Sequence, residues 1–346
     1  MKTNYFLRTA LLAATILGTG SLFSQVAKTS NFVENVSPVH GVDGSNNPTM
    51  EDFTFAFENG ASWGDYNNDG YLDLIVAGVS NSWVKTTILY KNNGDGTFTK
   101  ITTPFPQLDA ASITWIDYDN DGNLDVILTG KDDIGYLTFL YRNLGAAQNY
   151  EFSQVTDGVG FANMNNGGGN NANRYAAAGD YNNDGWTDFY IQGKNESGIQ
   201  SYLYKNLKGK GFELVANPVN GTDPLTPIYG GTATWGDVDK DGYLDLIVNG
   251  QFVDGAPNSD ALTPQPTDIT LVYINKQDGT FKTPIADYDG SVQGDVACLD
   301  YNNDGYPDFL RTGVGGKYSY PEGPTGPNPW DWSWHSDIFE NSGSGT

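Results

Sequence analysis

Residues 65–73 read DYNNDGYLD, and the pattern of this stretch, D-x-[DN]-x-D-G-x-x-D, occurs five times in the chain. The later copies begin at Asp117, Asp180, Asp237 and Asp300, so the spacings are 52, 63, 57 and 63 residues. Periods of this length suit one four-stranded blade with connections of variable length. The sequence therefore predicts five repeats of one structural unit.

The segments on both sides of each copy have the character of strands. Ala61-Ser62-Trp63-Gly64 precedes the first copy, and Leu-Asp-Leu-Ile-Val at 72–76 follows, too short and too β-branched for a helix. Leu89-Tyr90-Lys91-Asn92 then leads into a Gly-rich turn and Phe98, which is typical of a third strand, a hairpin turn and a fourth strand. A blade is predicted as strand A, acidic loop, strand B, connection, strand C, Gly-rich turn and strand D.

Composition agrees with an all-β chain that binds cations. The 346 residues include 43 Gly, 21 Tyr and 17 Phe, and the formal net charge is −24. This charge excludes nucleic acid and anionic lipid as natural partners, because both would be repelled. Of the 42 acidic residues 34 are Asp, the shorter side chain that favours turns, and 17 of these lie within the five copies.

Each acidic loop offers the oxygen ligands that a calcium ion prefers. Positions 1, 3, 5 and 9 carry Asp or Asn side chains, position 7 can add its backbone carbonyl, and the glycine at position 6 permits a sharp turn. The predicted ligand sets are Asp65, Asn67, Asp69, Tyr71 and Asp73; Asp117, Asp119, Asp121, Asn123 and Asp125; Asp180, Asn182, Asp184, Trp186 and Asp188; Asp237, Asp239, Asp241, Tyr243 and Asp245; Asp300, Asn302, Asp304, Tyr306 and Asp308.

Two other structures share features of these loops. An EF-hand begins almost identically, but it needs a Glu at position 12 and flanking helices. Position 12 here is Val76, Leu128, Ile191, Val248 or Arg311, and the flanks are predicted strands. The loops could also be metal-free turns in which Asp and Asn cap the backbone. Five copies in one register favour calcium, about one ion for each loop.

The first 24 residues have the features of a secretory signal peptide. Lys2 and Arg8 precede an apolar stretch, Ala10 to Phe23, which is too short for a membrane span. No later segment is apolar enough to cross a bilayer. Cys298 is the only cysteine, so an exported chain has no internal disulfide. The predicted organisation is a signal peptide at 1–24 and one propeller domain at 31–346, secreted or held at the cell surface or in the periplasm.

With these residues in view, the chain resembles the FG-GAP/VCBS repeat family, which includes integrin alpha-chain propellers and many secreted bacterial proteins. The resemblance covers residues 55–342 and implies a β-propeller, usually seven-bladed, with calcium in the acidic loops. Neither the Phe-Gly nor the Gly-Ala-Pro signature is intact, although Trp63-Gly64 and Ala77-Gly78 stand near their places. This departure favours the bacterial VCBS-like branch over the integrins.

The number of blades stays open at this stage. Asn31 to Val36 resembles a strand D, and Ile338-Phe339-Glu340-Asn341 resembles a strand C without a following strand D. The N-terminal strand could complete the last blade beside Phe339 and close a five-bladed ring. Equally, the chain could be part of a seven-bladed ring.

The function predicted from the sequence is a binding or adhesion module for a glycan or protein ligand. Strand alternation places the B-to-C and D-to-A insertions on the face opposite the acidic loops, and Trp330, Trp332 and Trp334 are the candidate ligand contacts there. The alternatives are a polysaccharide-degrading propeller enzyme, either a glycoside hydrolase or a lyase, and a structural spacer in a larger exported protein. No catalytic residue is predicted, because no acids outside the loops are paired by the sequence.

Overall fold

The computed structural model describes residues 39–42, 48–51, 57–79, 84–133, 135–156, 161, 175–195, 198–252, 267–287, 290–292, 294–315 and 333–343. These residues form strands β1 to β21 and one short 3-10 helix, Ala146–Gln148. Within those ranges no helix is long and apolar enough to cross a membrane.

The strands form five antiparallel blades in a ring, so the predicted β-propeller is confirmed, with one blade for each acidic loop. The blades are, in the order A to D, β3 (Phe57–Gly64), β4 (Asp73–Val79), β5 (Lys85–Asn92) and β6 (Phe98–Ile101); β7 (Asp109–Ile116), β8 (Asp125–Lys131), β9 (Tyr136–Asn143) and β10 (Phe152–Val155); β11 (Tyr175–Gly179), β12 (Asp188–Asn195), β13 (Gly198–Asn206) and β14 (Phe212–Val215); β15 (Ala233–Gly236), β16 (Asp245–Phe252), β17 (Thr267–Tyr273) and β18 (Ile285–Asp287); β19 (Val296–Leu299), β20 (Asp308–Gly315) and β21 (Ser333–Phe339).

Two further strands extend the first blade. The strand β1 (Val39–Val42) pairs in parallel with β6, and β2 (Pro48–Glu51) pairs antiparallel with β1. The N-terminal strand predicted at 31–36 lies outside the described residues, as does any pairing of it beside Phe339. The N-terminal strands that are described join the first blade, not the fifth.

Consecutive blades pack through alternate side chains of strand B, because neighbouring residues of a strand point to opposite faces. Ile75 and Ala77 of the first blade share a buried cluster with Val126 and Leu128 of the second. In the same way Ile127 packs with residues of the third blade. The apolar seams between blades therefore form the core of the ring.

The innermost strands approach closely where a glycine faces a larger side chain of the next blade. A Cβ atom at Gly64 would lie 2.7 Å from the Trp115 ring, and one at Gly236 would lie 2.3 Å from Cys298 Sγ. Cys298 lies in β19 and is half-buried. Any side chain larger than glycine at these positions would push neighbouring blades apart.

One face of the fifth blade is exposed, the face that in the third blade packs against the following blade. In the third blade the residues of this face, Tyr181 and Leu203, are buried against the fourth blade. Their counterparts in the fifth blade, Tyr301 and Ile338, are 44% and 55% exposed. The same blade face is thus core in one repeat and surface in another.

Candidate metal centres

Each acidic loop is a tight turn between strands A and B. In the first loop Asn68 at position 4 has φ of 55° and Gly70 at position 6 has φ of 87°, and the corresponding residues of all five loops share these left-handed conformations. Asn and Gly are the residues that adopt such angles at least cost. The glycine predicted to permit the turn does so.

Backbone amides orient the carboxylate at position 1. Asp65 Oδ1 accepts a hydrogen bond from the N–H of Asp69 at 3.0 Å, and Asp65 Oδ2 accepts one from the N–H of Gly70 at 2.8 Å. The same pair of bonds recurs at Asp117, Asp180, Asp237 and Asp300. Five copies of the nonapeptide therefore present position 1 in one orientation.

Position 9 is the first residue of strand B and is fully buried. In the second loop Asp125 accepts hydrogen bonds from the N–H of Asn143 at 2.8 Å and from the N–H of Tyr118 at 3.0 Å. Burial nevertheless raises the pKa of Asp125 to about 8, because desolvation of the carboxylate outweighs the two N–H donors. The pKa is raised for the same leading reason to about 6 in Asp73, about 7 in Asp188 and about 6 in Asp245.

Positions 1, 3 and 9 converge on one point in the loops that carry a carboxylate at all three. One oxygen from each of Asp117, Asp119 and Asp125 lies within 4.8 Å of the others, and Asp237, Asp239 and Asp245 repeat this arrangement. Two ligands of one calcium ion, each about 2.3–2.6 Å from it, are at most about 5 Å apart. The buried Asp119 Oδ1 accepts no hydrogen bond from protein. The residues present therefore fit a calcium ion.

The carboxylate at position 5 points partly away from this cluster. Asp69 Oδ1 accepts a hydrogen bond from the N–H of Tyr71 at 3.0 Å, and Asp121 Oδ2 lies 3.2 Å from the Arg142 guanidinium. The prediction that position 5 and the position 7 carbonyl also bind the ion stays a prediction. In the second and fourth loops the structure brings positions 1, 3 and 9 together, while position 5 of the first two loops is engaged with the backbone and with a basic neighbour.

The acidic loops and the Gly-rich turns lie on one face, as predicted. The position 7 side chain covers the turn glycine: a Cβ atom at Gly94 would lie 2.6 Å from the Tyr71 ring, and one at Gly209 would lie 3.0 Å from Trp186. Bonds from Asn92 at the end of strand C reach Asp73 and Leu72 of the loop. Loop and turn thus form one unit at the same end of each blade.

A family model described as an FG-GAP-like repeat matches residues 65–128 and 180–248. Each matched range begins at the position 1 aspartate of one acidic loop and extends through the next. These two ranges are FG-GAP-like repeats. The resemblance drawn from the nonapeptide is confirmed, and the fifth repeat, at 300–308, has the same hydrogen-bonded loop although it lies outside the matched ranges.

Comparisons of the whole chain with known proteins give less specific matches than the FG-GAP-like repeat model does. No curated protein matches the sequence. Solved structures of similar shape include a protein of the GH130 family. This family is described as mannoside phosphorylases that contain glycoside hydrolases targeting β-1,2-mannosidic linkages in Candida mannan. The GH130 protein has 10% identity, covers 81% of this chain and 87% of its own, and has a TM-score of 0.38. A glycosyl hydrolase from Bacteroides ovatus has 10% identity, coverages of 80% and 86% and a TM-score of 0.40. A mannose phosphorylase from Leishmania mexicana has 14% identity, coverages of 84% and 87% and a TM-score of 0.38. Likeness at these scores does not bear on activity.

An asparagine at the end of strand C connects each FG-GAP-like repeat to the one before it, a role that the sequence did not reveal. Asn206 Nδ2 donates to the carbonyl of Thr187 in its own blade at 3.0 Å and to the carbonyl of Tyr118 in the preceding blade at 2.8 Å. Its backbone N–H donates to Asp188 Oδ1 at 2.7 Å. The same bonds are made by Asn143, Asn275 and Asn341. The recurrence of Asn after Leu-Tyr-Lys or Leu-Tyr-Arg was the available signal.

Position 4 forms a second connection between FG-GAP-like repeats. Asn68 Nδ2 donates to the carbonyl of Gly122 at 3.1 Å, Asn120 Nδ2 to that of Gly185 at 2.7 Å, and Asn183 Nδ2 to that of Gly242 at 2.8 Å. In the fourth repeat Lys240 replaces Asn, and its Nζ lies 4.4 Å from the centre of the Tyr306 ring. The acidic loops therefore form a continuous chain of contacts around one face.

The candidate ligand tryptophans are not placed by these observations. Trp330 and Trp332 lie outside the described residues, as do most of the predicted insertions at 156–173, 251–268 and 313–330. Trp334 lies in β21, where its backbone pairs with Val314. A shared stacking face of the three indoles stays a prediction.

The buried position 9 carboxylates predict that the calcium-free protein loses stability as pH rises. An unfolded Asp titrates near 3.9, and the folded pKa values of Asp73, Asp125, Asp188 and Asp245 lie above this value. These groups therefore stabilise the fold when protonated, and that contribution is lost as pH rises through about 6 to about 8. Melting curves of protein freed of calcium by dialysis should show a lower melting temperature at the alkaline end. Saturating calcium should abolish the trend, and a metal-free protein that instead gains stability as pH rises would contradict the prediction.

Proposed function

We propose that this chain is a secreted, calcium-stabilised β-propeller that acts as a binding or adhesion module for an extracellular glycan or protein. The second and fourth acidic loops support the calcium part of the proposal, because three carboxylates of each converge with a spacing that one ion spans. The signal peptide predicted at 1–24 supports export. Positions 1, 3 and 9 would hold the ion, which would supply the positive charge that neutralises the loop and joins strands A and B.

The cavity on the propeller axis is the observation that favours binding over catalysis. It has a volume of about 610 Å³ and is lined by the innermost strands of the first four blades. Three indoles, of Trp63, Trp115 and Trp235, and the hydroxyl-bearing Thr114 line it, a combination that suits a sugar or a peptide. Asp65 is the one carboxylate among the lining residues, and it is already held by the first acidic loop. A glycoside hydrolase needs two carboxyl groups across the bond that is cleaved.

The cavity lies near the face of the propeller that carries the acidic loops, whereas the ligand tryptophans are predicted on the opposite face. Gly64 and Asp65 at the end of strand A line it, together with Leu72 and Leu124 from the acidic loops. There are therefore two candidate contact regions for the ligand, the axis cavity and the predicted tryptophans Trp330, Trp332 and Trp334. Variants of each region separate them.

Glycan-array binding, measured beside turnover of the same polysaccharides, tests the proposed function. We expect saturable binding without release of reducing or unsaturated ends. Ser62→Phe would narrow the cavity, and Trp332→Ala would remove one of the indoles predicted from the sequence to contact the ligand, so loss of binding in one variant and not the other locates the contact. Asp133→Asn is the control, because this carboxylate is 95% exposed and lies outside the acidic loops. Turnover would favour the enzyme alternative, and neither binding nor turnover would favour a structural spacer.

A further inference from the structure

The residue immediately before the strand-C asparagine differs in charge from blade to blade. We call this the pre-asparagine position, and it is occupied by Lys91, Arg142, Lys205, Ile274 and Glu340 in blades one to five. The first three blades carry a base there, the fourth an apolar residue and the fifth an acid. The acidic loops carry three carboxylates in the first, third and fifth blades and four in the second and fourth, so loops with the same number of carboxylates differ in charge at this position.

In the first three blades the base reaches the acidic loop. Arg142 Nη2 lies 2.7 Å from Asp119 Oδ2 and 3.2 Å from Asp121 Oδ2. Lys91 Nζ lies 3.5 Å from Asp69 Oδ2, and Lys205 Nζ lies 3.7 Å from the corresponding oxygen of Asp184. These cations lie beside carboxylates of the loops that would also attract calcium.

The last two blades lack this competing cation at the pre-asparagine position. In the fourth blade an uncharged amide, Gln277 Nε2, donates to Asp241 Oδ2 at 2.9 Å, and Lys282 is close enough to Asp239 to interact with its charge. In the fifth blade Glu340 Oε1 accepts a hydrogen bond from Asn302 Nδ2 at 3.3 Å, so a further carboxylate stands beside the loop, while Lys240 of the fourth blade lies over the Tyr306 ring of the same loop. Of the three loops with three carboxylates, only the fifth has an acid at the pre-asparagine position.

We infer that the pre-asparagine position tunes the calcium affinity of loops that carry equal numbers of carboxylates. Among the loops with three, the first and third are weaker than the fifth, and of the two loops with four, the second is weaker than the fourth. The inference rests on the proposed binding of calcium. A cation beside the site repels the ion and must also give up its ion pairs when calcium binds, whereas an added carboxylate attracts it. Ligand charge is a principal means by which oxygen sites tune their affinity for calcium. As calcium falls, the first and third blades lose their ions before the fifth, and the second before the fourth.

Calcium titration of the metal-free protein by calorimetry tests this grading. The wild-type protein should show at least two classes of site. Arg142→Gln keeps a polar side chain but removes the charge, and it should tighten one weak site about tenfold, equivalent to about 1.4 kcal/mol. Glu340→Gln should weaken one tight site by a similar factor. Both side chains are on the surface, and Lys91→Gln and Lys205→Gln repeat the first change if either variant misfolds.

Lys85→Gln is the matched control for net charge. Lys85 forms an ion pair with the exposed Asp133 at 2.7 Å, at the start of the strand that ends at Asn92. Seven residues of extended chain place it about 23 Å from the loop, beyond the screening length at physiological salt. If calcium binds but all variants titrate like Lys85→Gln, the graded affinity is overturned and the proposed function stands. If no variant and no wild-type protein binds calcium, the proposed function itself fails.

Discussion

Removal of calcium should lower the melting temperature of this protein by roughly 10 °C or more, a size that follows from the number of sites. At a calcium concentration of about 100 times Kd each site contributes about 2.7 kcal/mol to the folded state. Even three occupied loops then contribute on the order of 8 kcal/mol, while a fold of about 240 residues loses on the order of 0.5 kcal/mol for each degree near the midpoint. The effect is expected to be large because one fold holds five acidic loops and the single cysteine leaves no internal disulfide to replace the ions.

The physical origin of this effect is the repulsion inside each loop. Seventeen aspartates occupy the five loops, and burial raises the pKa of the position 9 carboxylates Asp73, Asp125, Asp188 and Asp245. A divalent ion converts this repulsion into attraction and connects strand A to strand B. Magnesium should restore less stability than calcium, because it keeps its water ligands and demands stricter geometry.

Thermal unfolding in excess chelator, followed by addition of calcium or magnesium, measures the effect. Asp117→Asn should reduce the stabilisation by calcium, because it removes one of the three converging carboxylates of the second loop. Asp133→Asn changes the net charge equally but is remote from every loop, and it should respond to calcium like the wild type. A melting curve that is unchanged in excess chelator would show that the loops are metal-free turns.

Replacement of Asn206 by Ala should cost about 3–5 kcal/mol of unfolding free energy, the largest effect expected for a residue outside the metal sites. The side chain of Asn206 is 1% exposed and makes three hydrogen bonds. It donates to the carbonyls of Tyr118 and Thr187 and accepts from the N–H of Gly209 at 2.9 Å. Truncation would leave these backbone groups buried without partners, at about 1–3 kcal/mol each, less whatever water can recover.

Asn92→Ala is the matched variant, because it makes the same change at the same position of the first blade. Asn92 donates to the carbonyl of Leu72 and accepts from the N–H of Gly94, both within its own blade, and it is only partly buried. Its loss should therefore cost less than that of Asn206 by about 1 kcal/mol or more. Urea denaturation in saturating calcium gives both values. Equal costs would mean that the bond between blades contributes nothing to stability.

Much of the repeat unit could be predicted because it depends on neighbours in sequence. The order of strands, the turn at Gly70 and the orientation of Asp65 by the amides of Asp69 and Gly70 all involve residues within one nonapeptide and its flanks. The alternation of side chains between the two faces of strand B likewise follows from local geometry. Such features are encoded by residue type and spacing, and they repeat wherever the pattern repeats.

Features that join one blade to the next could not be inferred in this way. The bond from Asn206 to Tyr118 connects residues 88 positions apart, and the bond from Asn68 to Gly122 connects residues 54 positions apart. The pairing of β1 with the outer strand of the first blade, instead of the fifth, is also a long-range choice. These contacts depend on the angle and distance at which whole blades pack, and those quantities arise only when the apolar faces of neighbouring blades are buried together. The amino-acid pattern therefore specifies the loop and the blade, while the assembled ring specifies which loops and blades come into contact.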